Sequence, residues 1–234
     1  MMTGAVPQIA VLLSYLILIM ALMISASSTL KRMVTWYRAQ SLVLTVVVLL
    51  TSLESGRIQG AVASLALLPA GLAVAVPPLL RRVALTRERG TDLIWLQHGG
   101  SRLRGGQSAA VDMLLIGTAV LVANRVFRGV GGVDAGVDSG VVSSLVVTIA
   151  LVLQGLFTMG NKRDIIAQVI GLLVIEHGLF LAAVRVAPSA LAFLFVLSLF
   201  FYLLVTLTIL FWILPELYRA SRSIEVGDHT RLRG

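Results

Sequence analysis

The chain has 234 residues, 58% of them hydrophobic and 13% charged, and a mean hydropathy of +0.96, which excludes a soluble globular domain and identifies a polytopic membrane protein. The net charge of +8 does not point to nucleic acid, because the basic residues lie in short connections between apolar segments instead of along one soluble face. With no cysteine, the chain cannot by itself ligate an iron-sulfur cluster or a thiolate-bound nickel site, so any redox chemistry belongs to partners.

Seven apolar segments are long enough to cross a bilayer: 7–27, 34–53, 59–80, 108–126, 140–159, 164–186 and 188–214. The first lacks a basic n-region and an A-x-A-like cleavage site, and reads as a retained span. In the second, Arg38 and Gln40 shorten the apolar part and require Arg38 to snorkel toward an interface. Pro69, Pro77 and Pro78 in the third predict a kink from packing or a broken helix. The long connection 81–106 is basic with Trp95 and Leu96 in its middle, the pattern of a surface resting on anionic headgroups or docking a soluble partner. Connection 128–139 is Gly-rich and reads as a flexible linker; Pro215 marks the exit of the last span, and the polar tail 221–234 is expected to be disordered.

The expected fold class is therefore all-α, a transmembrane bundle of about seven spans. An N-terminus outside and a C-terminus inside put all but four of the 19 basic residues (Arg57, Arg125, Arg128 and Arg185) in the cytoplasm. The domain reading is a three-span unit (1–80), a basic cytoplasmic loop (81–107), an additional span with an outer Gly-rich loop (108–139), a second three-span unit (140–217) and a cytoplasmic tail (218–234). Lys31-Arg32 followed by Gln40 loosely echoes Lys162-Arg163 followed by Gln168, a weak sign of duplication.

The stretch from Asn161 to Val186 concentrates the chemistry. A charged cluster, Lys162, Arg163 and Asp164, opens it, and Glu176 and His177 stand in the middle of its apolar run. Glu176 lies about 18 Å along a helix from Asp164, near the midplane of a hydrocarbon core about 30 Å thick. Burial there disfavours the charged form and suits a group that exchanges protons near neutral pH. A proton relay, a permanently protonated structural acid and an ion ligand are the open readings. Gln168 shares the Glu176 face at helical spacing, and Gly171 and Gly178 allow another helix to approach closely. His177, about 100° around the helix, suits either a proton role or interhelical hydrogen bonding. Ser143, Ser144, Thr148 and Gln154 in the fifth span, and Ser198, Tyr202, Thr206 and Thr208 in the seventh, suit interhelical bonding or the lining of a water chain. Glu54 and Asp112 lie near span ends, where interfacial roles are commoner than catalytic ones. His98 and His229 fall in cytoplasmic segments and cannot join His177 at a metal, and the chain has no phosphate-binding loop and no zinc-protease or serine-hydrolase motif.

On these residues the last three spans resemble the K subunit of bacterial respiratory complex I and the C subunit of Mrp-type antiporters, small three-span proteins with a basic inner hairpin and a glutamate midway along the second span. Asn161-Lys162-Arg163 corresponds to the hairpin, Ile170-Gly171-Leu172 to the helix entry and Glu176 to the carboxylate. Through KRDIIAQVIGLLVIEHGLFL the whole chain resembles component E of hydrogenase-4, found in membrane-bound [NiFe] hydrogenase complexes. The family commonly has Glu-Asn-Gly where this sequence has Glu176-His177-Gly178, and the last span lacks the second glutamate usual in complex I K subunits.

The resemblance implies a membrane-arm subunit in a prokaryotic cytoplasmic (inner) membrane. It would pass protons or couple their movement through Glu176, with His177 and Gln168 beside it and Lys162, Arg163 and Asp164 as the supporting cytoplasmic hairpin. It implies antiporter-like membrane partners, a soluble redox module docked on the cytoplasmic loops, a [NiFe] centre and iron-sulfur clusters held by partners, and no cofactor or metal on this chain.

Overall fold

The computed structural model describes residues 5–54, 67, 69–78, 101–103, 105–129 and 139–186, together with 194, 197, 198, 201, 205 and 208. Among them six helices form: α1 (Ala5–Ala26), α2 (Leu30–Glu54), a short α3 (Pro69–Pro78), α4 (Gly105–Gly129), α5 (Ser139–Asn161) and α6 (Ile165–Val186). All but α3 are long and apolar enough to cross a membrane. Backbone groups in hydrocarbon must be satisfied within their own segment, which is why these apolar runs are helical from end to end. The only extended pairing among the described residues is an isolated bridge between Ser101 and Lys162.

Local chemistry sets the helix starts. The amide of Arg32 donates to Thr29 Oγ1 at 3.4 Å, capping α2, and the amide of Ile166 donates to Asp164 Oδ1 at 2.8 Å, capping α6. The expected second span, 34–53, lies within α2, which runs unbroken through Arg38 and Gln40. Arg38 is exposed, and the buried Gln40 amide donates to the Ile17 carbonyl of α1 at 3.2 Å, so its polarity is used in helix packing.

The hairpins α1–α2 and α5–α6 pack side by side, α1 against α5 and α2 against α6, while α4 lies against α5 and α1. This juxtaposes the two segments whose sequences faintly echo each other. The core runs through the middle of the four helices and includes Ile17, Ile24, Met33, Tyr37, Leu44, Leu151, Ile170, Leu173 and Leu181. Of the α6 span 67% is buried, against 17% of the α4 span, so α6 is the central helix and α4 is peripheral.

Of the expected third span, α3 covers 69–78, with Pro69 buried. Of the seventh, Leu194, Leu197, Ser198, Phe201, Val205 and Thr208 are helical. The remainder of those two segments, His98 and most of the loop 81–106, residues 130–138, Tyr202, Thr206, and the tail with His229 lie outside the described residues.

Candidate functional site

The α2–α6 contact brings together the deep polar residues. Tyr37 and Ser41 are four apart on α2 and share one face; Glu176 and His177 are consecutive on α6. Ser41 and Glu176 are each the twelfth residue of their helix, about 17 Å from its start, so the two helices meet here at equal depth. The His177 ring lies flat on that of Tyr37, with centroids 5.0 Å apart and planes inclined by 5°. Its Nε2 is 3.0 Å from Ser41 Oγ, a hydrogen bond whose direction follows the imidazole tautomer. Glu176, 6% exposed, lies near enough to Tyr37 to act on it electrostatically.

Several buried polar atoms have no partner among the described residues: Tyr37 Oη, Glu176 Oε2 and His177 Nδ1 at this contact, and Gln40 Oε1, Thr148 Oγ1 and both ends of the Gln154 amide elsewhere on α2 and α5. Each such atom costs about 1–3 kcal/mol, and native structures hold few of them. The carboxyl, the imidazole and the tyrosine stacked on it each hold one, and this marks the α2–α6 contact as the functional candidate, with groups that accept, donate and carry protons.

A second cluster closes one end of the bundle. The bridge to Ser101 and the bonds around it, Arg102 N to Asn161 O at 2.8 Å and Leu103 N to Asn161 Oδ1 at 3.0 Å, lay the segment before α4 across the α5–α6 connection. Beneath it the Lys162 ammonium donates to the Ser27 carbonyl at 2.6 Å and to Ser101 Oγ at 2.9 Å. Within the hairpin Lys162 is fully buried, Arg163 is exposed, and Asp164 is buried as the cap of α6. Asp112, expected near a span end, lies in this end cluster: it is 1% exposed, faces Ser25 and acts on Lys162 across the cluster. Gln168 belongs to this end, its amide donating to the Lys162 carbonyl at 3.0 Å, and does not join Glu176 despite the helical spacing.

Lys162 lies between the spans that end at Asn161 and begin at Ile165, and burial pushes its ammonium from the usual 10.5 down to about 8, with Asp112 opposing the shift. Between those two values the unfolded chain binds more protons than the folded one, so this lysine makes stability rise with pH from about 8 toward 10.5. Unfolding of the detergent-solubilised protein, followed by circular dichroism from pH 8 to 10, should show that rise. Lys162→Met should flatten it, and identical pH slopes in the two proteins would count against the burial argument.

The Tyr37–Ser41 pair is absent from the sequence-level site. Its only signal is two polar residues four apart beside Gln40 in an apolar run. Among the other polar residues expected at depth, Ser144 donates to the Gly140 carbonyl within its own helix, and Ser198 is exposed. No group of three His, Asp or Glu side chains among the described residues could hold a metal. Compared with known family models, characterised proteins and solved structures, the chain matches none.

Proposed function

We propose that this chain is a non-redox membrane-arm subunit of a hydrogenase-type, complex I-related energy-transducing complex, and that Glu176 serves proton translocation or its coupling. The observation that carries this reading is the buried constellation of Glu176, His177, Tyr37 and Ser41 halfway along two packed apolar helices. The resemblance of KRDIIAQVIGLLVIEHGLFL to hydrogenase-4 component E supports it from the sequence side. His177, where that family commonly has asparagine, adds an imidazole able to carry a proton at the depth of the carboxyl.

In this reading the bundle has seven spans in a prokaryotic cytoplasmic membrane, N-terminus out. The end that gathers Lys31, Arg32, Arg102, Lys162 and Arg163 faces the cytoplasm, in keeping with the bias of basic residues. The last span has no acid, so the group that exchanges protons with Glu176 comes from an antiporter-like partner, and the [NiFe] centre and iron-sulfur clusters reside in a soluble module.

Affinity purification of the tagged chain from its own membranes in a mild detergent tests the class. Co-purification of antiporter-like subunits and a [NiFe] large subunit in fixed stoichiometry is expected. Isolation as a lone protein that transports protons or sodium when reconstituted in liposomes would instead identify an independent carrier.

A further inference from the structure

Outside the deep cluster, the α1–α2 hairpin carries a cleft of about 830 Å³ at its tip, lined by Met23, the turn 27–29, Lys31, Arg32 and Trp36. Both cations are exposed, no acid among the described residues lines the cleft, and the chain contains no Asp or Glu before Glu54. The turn contributes hydroxyl groups, and the first turn of the 25-residue helix α2 adds the positive end of its dipole. Among the described residues an anion therefore meets only favourable charge here.

The position selects among anions. The α1 span ends at Ala26 and the α2 span begins at Leu30, so the cleft lies where the chain leaves the hydrocarbon, and exposed Trp36 sits at the level where indole rings prefer the headgroup boundary. From the cleft an apolar strip continues along α1 through Met23, Ile19, Leu16 and Leu12, all exposed and three or four residues apart. Eleven residues of helix are about 16 Å, close to the half-thickness of a hydrocarbon core of about 30 Å. A soluble anion would use the cations and leave the strip unused; a soluble peptide would have to enter the bilayer to reach it.

We propose that the cleft is a binding site for an anionic glycerophospholipid. Its phosphate pairs with Lys31 and Arg32, its headgroup rests on Trp36 and the 27–29 turn, and one acyl chain follows the Met23–Leu12 strip. The site is independent of the proton-relay reading. It adjoins the buried end cluster, because the Ser27 carbonyl that accepts from Lys162 belongs to the same turn, so a bound lipid steadies the support of that lysine.

Native mass spectrometry of the delipidated full-length protein, with phosphatidylglycerol and phosphatidylcholine of identical acyl chains added in equal amounts, tests the proposal. Two surface cations at about 1 kcal/mol each correspond to a preference of roughly 30-fold for phosphatidylglycerol. The double variant Lys31→Gln/Arg32→Gln should fall to near parity while retaining its helical circular dichroism. Arg125→Gln/Arg128→Gln, which removes the same charge from the C-terminal half of α4, should keep the preference. Equal retention of both lipids by the unaltered protein, or an undiminished preference in Lys31→Gln/Arg32→Gln, would overturn the proposal. So would displacement of phosphatidylglycerol by glycerophosphate at equal concentration, since an anion without acyl chains would then suffice.

Discussion

Glu176→Gln is expected to stop proton translocation by the assembled complex while leaving assembly intact. Glutamine has nearly the same shape, and at a position 6% exposed it preserves packing of α6 against its neighbours. It cannot gain or lose a proton. General acid-base groups contribute about 100-fold or more to proton-transfer steps, so a relay through this carboxyl should slow by at least that factor. Translocation is read as acidification by inverted membrane vesicles given the electron donor of the complex, with assembly followed by native gel electrophoresis. A structural carboxyl predicts the reverse: Glu176→Gln silent in both assays, and Glu176→Leu impaired in assembly because leucine offers no hydrogen-bonding group at a buried polar contact. Normal translocation by Glu176→Gln would end the relay proposal. His177→Asn, introducing the residue usual in the resembled family, separates the roles further, since it removes the imidazole while leaving a hydrogen-bonding side chain opposite Ser41.

What could be read from one dimension was each group that is anomalous by itself. A glutamate in an apolar run stands out whatever surrounds it, and the long apolar segments announce helices because a bilayer admits few alternatives. Tyr37 and Ser41 are ordinary residues in an apolar span, and they become part of a site only because α2 packs on α6, 136 positions away between Ser41 and His177. The same limit explains Lys162. A lysine beside a turn is usually solvated, and its burial depends on Ser27 and Ser101, which arrive from two other parts of the chain. Gln168 shows how helical spacing alone misleads: it shares a face with Glu176, yet the nearest carbonyl seeking a donor is that of Lys162, at the helix start. Gly171 and Gly178 were legible as points of close approach because small residues serve that purpose in membrane helices, whereas Gly155, which meets Gly171, has a role only within the hairpin.

That glycine contact yields the largest expected effect on the fold. A Cβ on Gly155 would lie 2.6 Å from the Gly171 carbonyl oxygen and 2.5 Å from Ile175 Cγ1, and one on Gly171 would lie 2.8 Å from the Gly155 carbonyl oxygen. These partners are mostly backbone, so no rotamer change relieves the clash and the two helices must separate. Gly155→Ala should therefore destabilise the bundle by about 1–3 kcal/mol, even though alanine is the better helix former. Gly160, five residues along the same helix, has nothing within 4 Å of its hypothetical Cβ, and Gly160→Ala should instead stabilise by about 0.5–1 kcal/mol. The opposite signs on one helix remove propensity as an explanation and isolate the contact. Once one methyl has forced α5 and α6 apart, the second meets a gap already opened, so Gly155→Ala/Gly171→Ala should cost less than the sum of its parts. Unfolding of each variant in detergent, followed by circular dichroism, measures all three terms. Equal effects at 155 and 160, or strict additivity at 155 and 171, would mean that the helices do not meet glycine to glycine. Because α6 carries both Glu176 and the cap beside Lys162, separation at this crossing should also weaken the deep cluster and the end cluster together.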